Sequence, residues 1–95
     1  MSRRKAGADR AGAEAIGLRA LIYLAEDPGR LNHFMAETGI DPSQLQAKAG
    51  EPETLAAVLD HVTRDESLLL VFAASADLKP DEVMLASAVL SGDIG

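Results

Sequence analysis

Four prolines divide the chain, and each directly follows a charged residue, in the phrases "DPGRL" (27–31), "DPSQL" (41–45), "EPETL" (51–55) and "KPDEV" (79–83). Proline lacks an amide hydrogen and holds φ near the helical value, so it is favoured at the first position of a helix and costly further inside. The phrases therefore predict four helix starts. Their irregular spacing argues against a true sequence repeat.

The stretch "IDPSQL" forms the most complete of these starts. Asp41 is placed to cap the helix, and Gln44 is placed to complete a capping box with it. Ile40 and Leu45 have the spacing of a hydrophobic staple, which fixes how the chain enters a helix. We therefore interpret these phrases as helix boundaries and not as ligand-binding motifs.

Apolar residues recur at helical spacing between these starts, and no segment shows the period of two that a half-buried strand requires. The pattern predicts helices at about 11–26, 28–38, 42–49, 52–63, 66–76 and 80–91. It leaves open whether the fourth and fifth are separate or form one bent helix. The predicted fold class is all-α, a compact bundle of five to six short helices whose short links favour steep crossings.

Two segments are apolar around most of their circumference, the helix at 11–26 and the run "LLLVFAA" at 68–74. A helix without a polar face is typical of the protein interior, so we predict that both are buried. Gly17 inside the first helix costs about 1 kcal/mol relative to Ala. We expect a close crossing with another helix to compensate for it.

The charges are unevenly placed within a formal net charge of −6. Residues 1–10 contain four basic side chains against Asp9, or +3, whereas residues 11–95 contain five basic and fourteen acidic side chains, or −9. We predict a disordered basic tail at 1–10 and a single helical domain at 11–95. Because affinity for nucleic acid depends largely on neutralising phosphates, the acidic body argues against a nucleic-acid partner.

Several classes of protein are excluded by what the chain lacks. It contains no cysteine, which excludes disulfides, thiolate nucleophiles and cysteine-based metal sites. No apolar stretch reaches the ~20 residues of a membrane span, and the N-terminal region lacks the apolar segment of a signal peptide. We therefore expect a cytoplasmic protein that makes no membrane contact.

The two histidines have similar surroundings in the sequence. His33 lies four residues before Glu37, and His61 lies four residues before Asp65, so each pair shares a helical face. Brought together, the pairs would offer two imidazoles and two carboxylates to a metal; the alternative is weak contacts on solvated faces. Because no metal-binding, phosphate-binding or nucleophile motif accompanies them, we predict no metal, no cofactor and no catalytic residue.

Two longer stretches, "AEAIGLRALIYLAEDPGRLNHFMAETGIDPSQL" and "LAAVLDHVTRDESLLLVFAASADLKPDEV", resemble a family of small bacterial all-helical proteins that is frequent in alphaproteobacteria. The family is known as a domain of unknown function, number 3572. Its most specific parts here are "TGIDPSQL" and "DESLLLVFA". The resemblance implies a stand-alone, single-domain cytoplasmic protein, and it implies no activity, cofactor or catalytic residue.

The last predicted helix carries a wide apolar arc, made of Val83, Met84, Ala86, Val89 and Leu90. A terminal helix with such an arc either closes the core or binds another chain. The leading hypothesis is therefore a protein-protein interaction module without catalytic activity, which uses this arc to bind a protein partner or a second copy of itself.

The alternative hypothesis is a DNA-associated regulator. Residues 28–49 place a turn at Gly39 and Ile40 between two helices, as in a helix-turn-helix, and the basic tail would add cations. The second of these helices offers Lys48 as its single basic residue. A groove-reading helix needs more phosphate anchors than this, so the charge pattern favours the first hypothesis.

Overall fold

The computed structural model describes residues 9–92, and these residues form six α-helices. They are α1 (Arg10–Ala25), α2 (Pro28–Thr38), α3 (Pro42–Lys48), α4 (Pro52–Arg64), α5 (Glu66–Ser75) and α6 (Pro80–Ser91). Every boundary lies within one residue of its predicted position, and the all-α fold class is confirmed. Of the predicted tail at 1–10, Asp9 and Arg10 alone lie within the described residues; Asp9 caps α1 and Arg10 begins it.

The acidic residues before the prolines act as caps at two of the four starts. Asp41 accepts a hydrogen bond from the Gln44 amide at 2.8 Å, and the Gln44 side chain accepts one from the Asp41 amide at 3.1 Å. This is the predicted capping box. Asp27 accepts from the Gly29 amide at 2.9 Å. Glu51 makes no side-chain cap bond, so at α4 the proline itself is the start signal.

Asp65 lies between α4 and α5, and its conformation decides whether they are separate or one bent helix, which the sequence left open. Its backbone is extended, with φ −111° and ψ 107°, so the helix cannot continue through it. Its side chain then caps the next helix by accepting from the Leu68 amide at 3.2 Å. One residue therefore ends α4 and begins α5, and the two are separate helices.

The core lies where α1, α4 and α6 pack against one another, with α2 and α5 at its edges. The largest side chains that are fully buried come from five helices: Phe34, Phe72, Leu24, Leu59, Val58, Val62 and Val83. The two phenylalanines come from the edge helices α2 and α5. They anchor these helices on the core, which apart from Tyr23 is otherwise built from aliphatic side chains.

Gly17 marks the closest approach of α1 and α4. A Cβ atom at this position would lie 2.9 Å from the Cβ of Leu55, closer than real Cβ contacts come. Since glycine has no Cβ, the two helices approach closely enough to bury Leu55 and Val58. The predicted close crossing is confirmed, and α4 is the helix that makes it.

The prediction that α5 is wholly buried is wrong. Leu69, Phe72 and Ala73 are buried, but Leu70 and Val71 are 49% and 52% exposed. The physical reason is position: α5 packs on one edge of the core, so a single side of it is covered by the described residues. Its sequence has no polar face to turn outward, and apolar side chains therefore reach solvent.

No helix among residues 9–92 is both long enough and apolar enough to cross a membrane.

Substitution of Gly17 tests the crossing. Alanine favours a helix over glycine by about 1 kcal/mol, yet its methyl group would meet the rigid Cβ of Leu55 and push α1 from α4. We expect Gly17→Ala to lower the free energy of unfolding by about 1–2 kcal/mol, because an overpacking cost of about 2–3 kcal/mol at so close a contact exceeds the helix gain of about 1 kcal/mol. Urea denaturation followed by circular dichroism measures it.

Gly50→Ala is the matched control, because a Cβ there has no neighbour within 4 Å and φ is not positive. Of the two glycines Gly39 and Gly50, only Gly39 has the left-handed conformation that an added side chain would strain. The control should be neutral or raise stability by about 0.4–1 kcal/mol. A Gly17→Ala variant as stable as the control would contradict the tight crossing.

Candidate functional site

The arc on α6 that the sequence suggested as a partner surface lies mostly inside the protein. Val83 and Ala86 are completely buried, and Val89 and Leu90 are each 8% exposed. These four side chains close the core against α1 and α4 and cannot reach a partner in this fold. Only Met84 of the predicted set is exposed, beside Asp60 and Thr63 of α4. The sequence showed that α6 carries a wide apolar arc, but not which part of that arc faces inward.

A different apolar surface lies on α1. This helix buries one side in the core, through Ala13, Ile16, Gly17, Ala20, Leu21 and Leu24. Its solvent side carries a second set, which we call the outward stripe: Ala11, Ala15, Leu18, Ile22 and Ala25, all exposed. Leu18 is 43% and Ile22 is 52% exposed. The helix is therefore apolar on two opposite sides, and only one of them is covered by the described residues.

The spacing of the outward stripe is four, three, four and three residues. This alternation keeps residues on one side of a helix and is the spacing of the apolar seam in coiled coils. This spacing is present in the sequence, but it was missed because the whole of α1 was interpreted as a buried helix. Only the structure separates the residues of α1 that face the core from those that face solvent.

Helix α5 extends this apolar surface on one flank. The rings of Tyr23 and Phe72 lie 5.5 Å apart, and the Arg19 guanidinium donates to the Ala76 carbonyl at 2.9 Å. These contacts hold the end of α5 against α1. A shallow groove of about 170 Å³ between the two helices is lined by Arg19, Ile22, Tyr23, Glu26, Phe72, Ser75 and Ala76. Ile22 thus belongs both to the outward stripe and to the groove beside α5.

A second groove borders the stripe on its other flank. It measures about 300 Å³ and has mostly apolar walls from α1, α2 and α3, namely Leu21, Ala25, Leu31, Met35, Pro42, Leu45, Gln46 and Ala49. Ala25 is shared by this groove and the outward stripe. The stripe is therefore the ridge between two shallow grooves, and the whole face is largely apolar.

The charges around the stripe are few and of both signs. Arg19 and Glu26 are exposed, and both line the groove beside α5. Glu14 is half-buried. The guanidinium of Arg30 lies 4.2 Å above the centre of the Tyr23 ring, so it is held by a cation–π contact. A surface with a few charges of both signs beside an apolar ridge is suited to binding another helix.

The structure brings the two histidines together: His33 keeps its predicted neighbour Glu37, whereas His61 pairs with Glu37 and not with Asp65. His61 is 4% exposed, and its Nδ1 lies 2.5 Å from Oε1 of Glu37 on α2. His33 Nε2 lies 4.0 Å from the other Glu37 oxygen. Because an ionised carboxylate only accepts hydrogen bonds, Nδ1–H of His61 is the donor. Glu37 therefore joins α2 to α4, and Asp65 acts as a helix cap.

This polar cluster sits at an open cleft of about 480 Å³, lined by His33, Glu37, His61, Arg64, Asp65, Glu66 and Ser67. The ring of His61 packs edge-on against Phe34 and His33, and its Nε2 is buried without a hydrogen-bond partner among the described residues. No group of three or more histidine and acidic side chains within residues 9–92 is arranged to hold a metal ion. The cluster thus accounts for the attachment of α2 to α4.

The helix-turn-helix-like region has the expected shape but few groups for contacting DNA. Phe34 and Leu45 are buried on either side of the Gly39 turn. In α3, Gln44 is occupied by the capping box, and Lys48 is its only basic residue. The alternative of a DNA-associated regulator gains no group from the fold beyond those that the sequence already offered.

The fold and the two-sided helix α1 define the class: a small all-α domain with an exposed helical ridge. The chain belongs to the family described as protein of unknown function (DUF3572), whose model matches residues 10–93. No curated protein and no solved structure is similar to it at a significant level. The family membership carries no activity, ligand or partner, so the function must be argued from the surface.

The ion pair at Glu37 gives a testable dependence on pH. The hydrogen bond from His61 lowers the pKa of the Glu37 carboxyl, and partial burial offsets this only in part. A group whose pKa is lower in the folded state stabilises the fold above its unfolded pKa, about 4.3 for glutamate. That stabilisation is lost as the pH falls through the folded value.

We therefore expect the wild-type chain to be more stable than Glu37→Gln at pH 5, and the difference to shrink between about pH 5 and pH 3. Urea denaturation at a series of pH values measures this difference. Glu51→Gln is the control, because the Glu51 side chain is exposed and makes no cap bond. A difference for Glu37→Gln that stays constant across this range would show that the carboxylate contributes nothing through its charge.

Proposed function

We propose that this chain is a protein-interaction module whose docking surface is the outward stripe of α1 together with the exposed side of α5. One observation carries the proposal. Helix α1 is apolar on two opposite sides, and the side that faces solvent presents Leu18 and Ile22 about half exposed. A helix that is apolar all round belongs in the interior of a fold or of an assembly.

The surface is larger than a single exposed residue. Four of the five large apolar side chains that are strongly exposed lie on α1 and α5, at Leu18, Ile22, Leu70 and Val71. The Tyr23–Phe72 ring contact joins these two helices at one point. Single exposed apolar residues are ordinary, but an exposed apolar ridge flanked by polar groups is typical of an interaction site.

The shape of the surface favours a helical partner. The outward stripe repeats at the coiled-coil spacing, and the grooves on either side of it have the form that side chains of a second helix fill. Its alanines allow the backbone of another helix to approach closely. A peptide that binds by adding a strand would need an unpaired strand edge, and residues 9–92 contain no strand.

The proposal predicts that association depends on α1 and not on α6. Leu18→Glu combined with Ile22→Glu should leave the melting temperature within a few degrees of wild type, because both side chains are about half exposed. The same variant should lose the associations that the wild-type chain makes. Size-exclusion chromatography with light scattering measures association with itself, and affinity capture from lysate measures association with other proteins.

Met84→Glu is the matched control, since Met84 is equally exposed but lies on α6. The control should retain every association. The proposal is wrong if the α1 variant and the control behave alike, or if the wild-type chain stays monomeric and captures no protein that the α1 variant fails to capture.

A further inference from the structure

We infer that the occupant of the outward stripe is a second copy of this chain, which docks its own α1 in the antiparallel direction. The inference rests on the proposed docking surface and names its partner. Three observations support it: the spacing of the stripe, the order of large and small residues along it, and the positions of Arg19 and Glu26 beside it.

Four of the five stripe residues are arranged symmetrically about the midpoint between Leu18 and Ile22; Ala11 lies beyond them at the N-terminal end. Leu18 and Ile22 lie in the middle, with alanines on both sides, at positions 11, 15 and 25. In an antiparallel pair, the register that places Leu18 opposite Ile22 of the second copy also places Ala15 opposite Ala25. Because the pair is two-fold symmetric, two Leu18–Ile22 pairs form the centre of the contact. The alanines on either side let the helix ends approach closely.

The flanking charges match in the same register. Side chains on a helix lean toward its N-terminus, so across an antiparallel pair Arg19 leans toward Glu26 of the second copy. The two-fold symmetry makes this ion pair twice. Arg19 has five N–H donors, and its bond to the Ala76 carbonyl leaves others free for the partner.

Other registers place like charges together. Sliding the second helix by seven residues in one direction brings Arg19 against Arg19 of the second copy. Sliding it by the same amount in the other direction brings Glu26 against Glu26. A parallel pair would match Arg19 with Glu14, which is half-buried, and would align the two helix dipoles unfavourably. The antiparallel register thus satisfies both the apolar and the charged positions.

The charge of α1 also suits self-association. The whole chain carries −6, and two such chains repel one another. Helix α1 contains two arginines and one glutamate, or +1. The two copies therefore meet at a helix that lacks the acidic excess of the rest of the chain.

Disulfide trapping tests the register directly, because the chain has no cysteine of its own. Ala15→Cys and Ala25→Cys are made as separate full-length proteins, one of them labelled with ¹⁵N so that mass spectrometry distinguishes them. Both positions are exposed, so both variants should fold as wild type does. Mixing them under mild oxidation should yield mainly the mixed covalent dimer, while each protein alone should yield little. Met84→Cys on α6 is the control for random collision.

Exchanging the charges of Arg19 and Glu26 is an independent test of the same contact. Glu26→Arg should weaken the dimer roughly tenfold, because two exposed ion pairs become two repulsions. Adding Arg19→Glu in the same chain restores opposite charges across the pair and should recover most of the affinity. Circular dichroism checks that loss of the Arg19–Ala76 bond has not unfolded the double variant.

Each result decides the inference. Mixed cross-links above the Met84→Cys background, with rescue by the charge exchange, support the antiparallel dimer. Preferential cross-linking of each cysteine variant with itself overturns it in favour of a parallel pair. Cross-linking at the control level overturns the dimer altogether. In that case, loss of partner capture by Leu18→Glu and Ile22→Glu would still leave the proposed function standing, while unchanged capture would remove both.

Discussion

The close approach of α1 to α4 at Gly17 is the constraint on which the rest of the structure depends. With no side chain at this position, Leu55 packs almost directly on the backbone of α1. The crossing fixes one side of α1 against the core formed with α4 and α6. Once that side is fixed, the opposite side of α1 must face outward. Because α1 has only three charged residues, this outward side is largely apolar and exposes Leu18 and Ile22 to solvent.

The helix boundaries could be predicted because the signals that set them are local. A proline or an aspartate at a helix start acts on amides within three residues of it, as the reciprocal bonds of Asp41 and Gln44 illustrate. Asp65 was harder to interpret, since the same residue ends α4 and caps α5. Its extended backbone, rather than its side chain, decides that there are two helices.

The orientation of each helix could not be predicted for the most apolar segments. Periodicity locates the buried side of α4, where polar and apolar residues alternate around the helix, but α1, α5 and α6 are apolar on most sides. For these helices the inward side is chosen by neighbours distant in the chain. Val83 was therefore proposed as surface and is buried, while Val71 was expected in the core and is exposed. The pairing of His61 with Glu37 was missed for the same reason, because the two residues lie on α2 and α4, which are not consecutive in the chain.

The central claim is that the exposed side of α1 is covered in solution by a second copy of the chain. Sedimentation equilibrium of the wild-type protein tests this most directly, over loading concentrations from about 10 µM to about 1 mM. For a closed two-fold dimer we expect an average mass that rises with concentration from that of one 10.0 kDa chain toward that of two, and no further. A mass that stays at one chain throughout, or that rises past two without a plateau, would contradict a closed two-fold dimer.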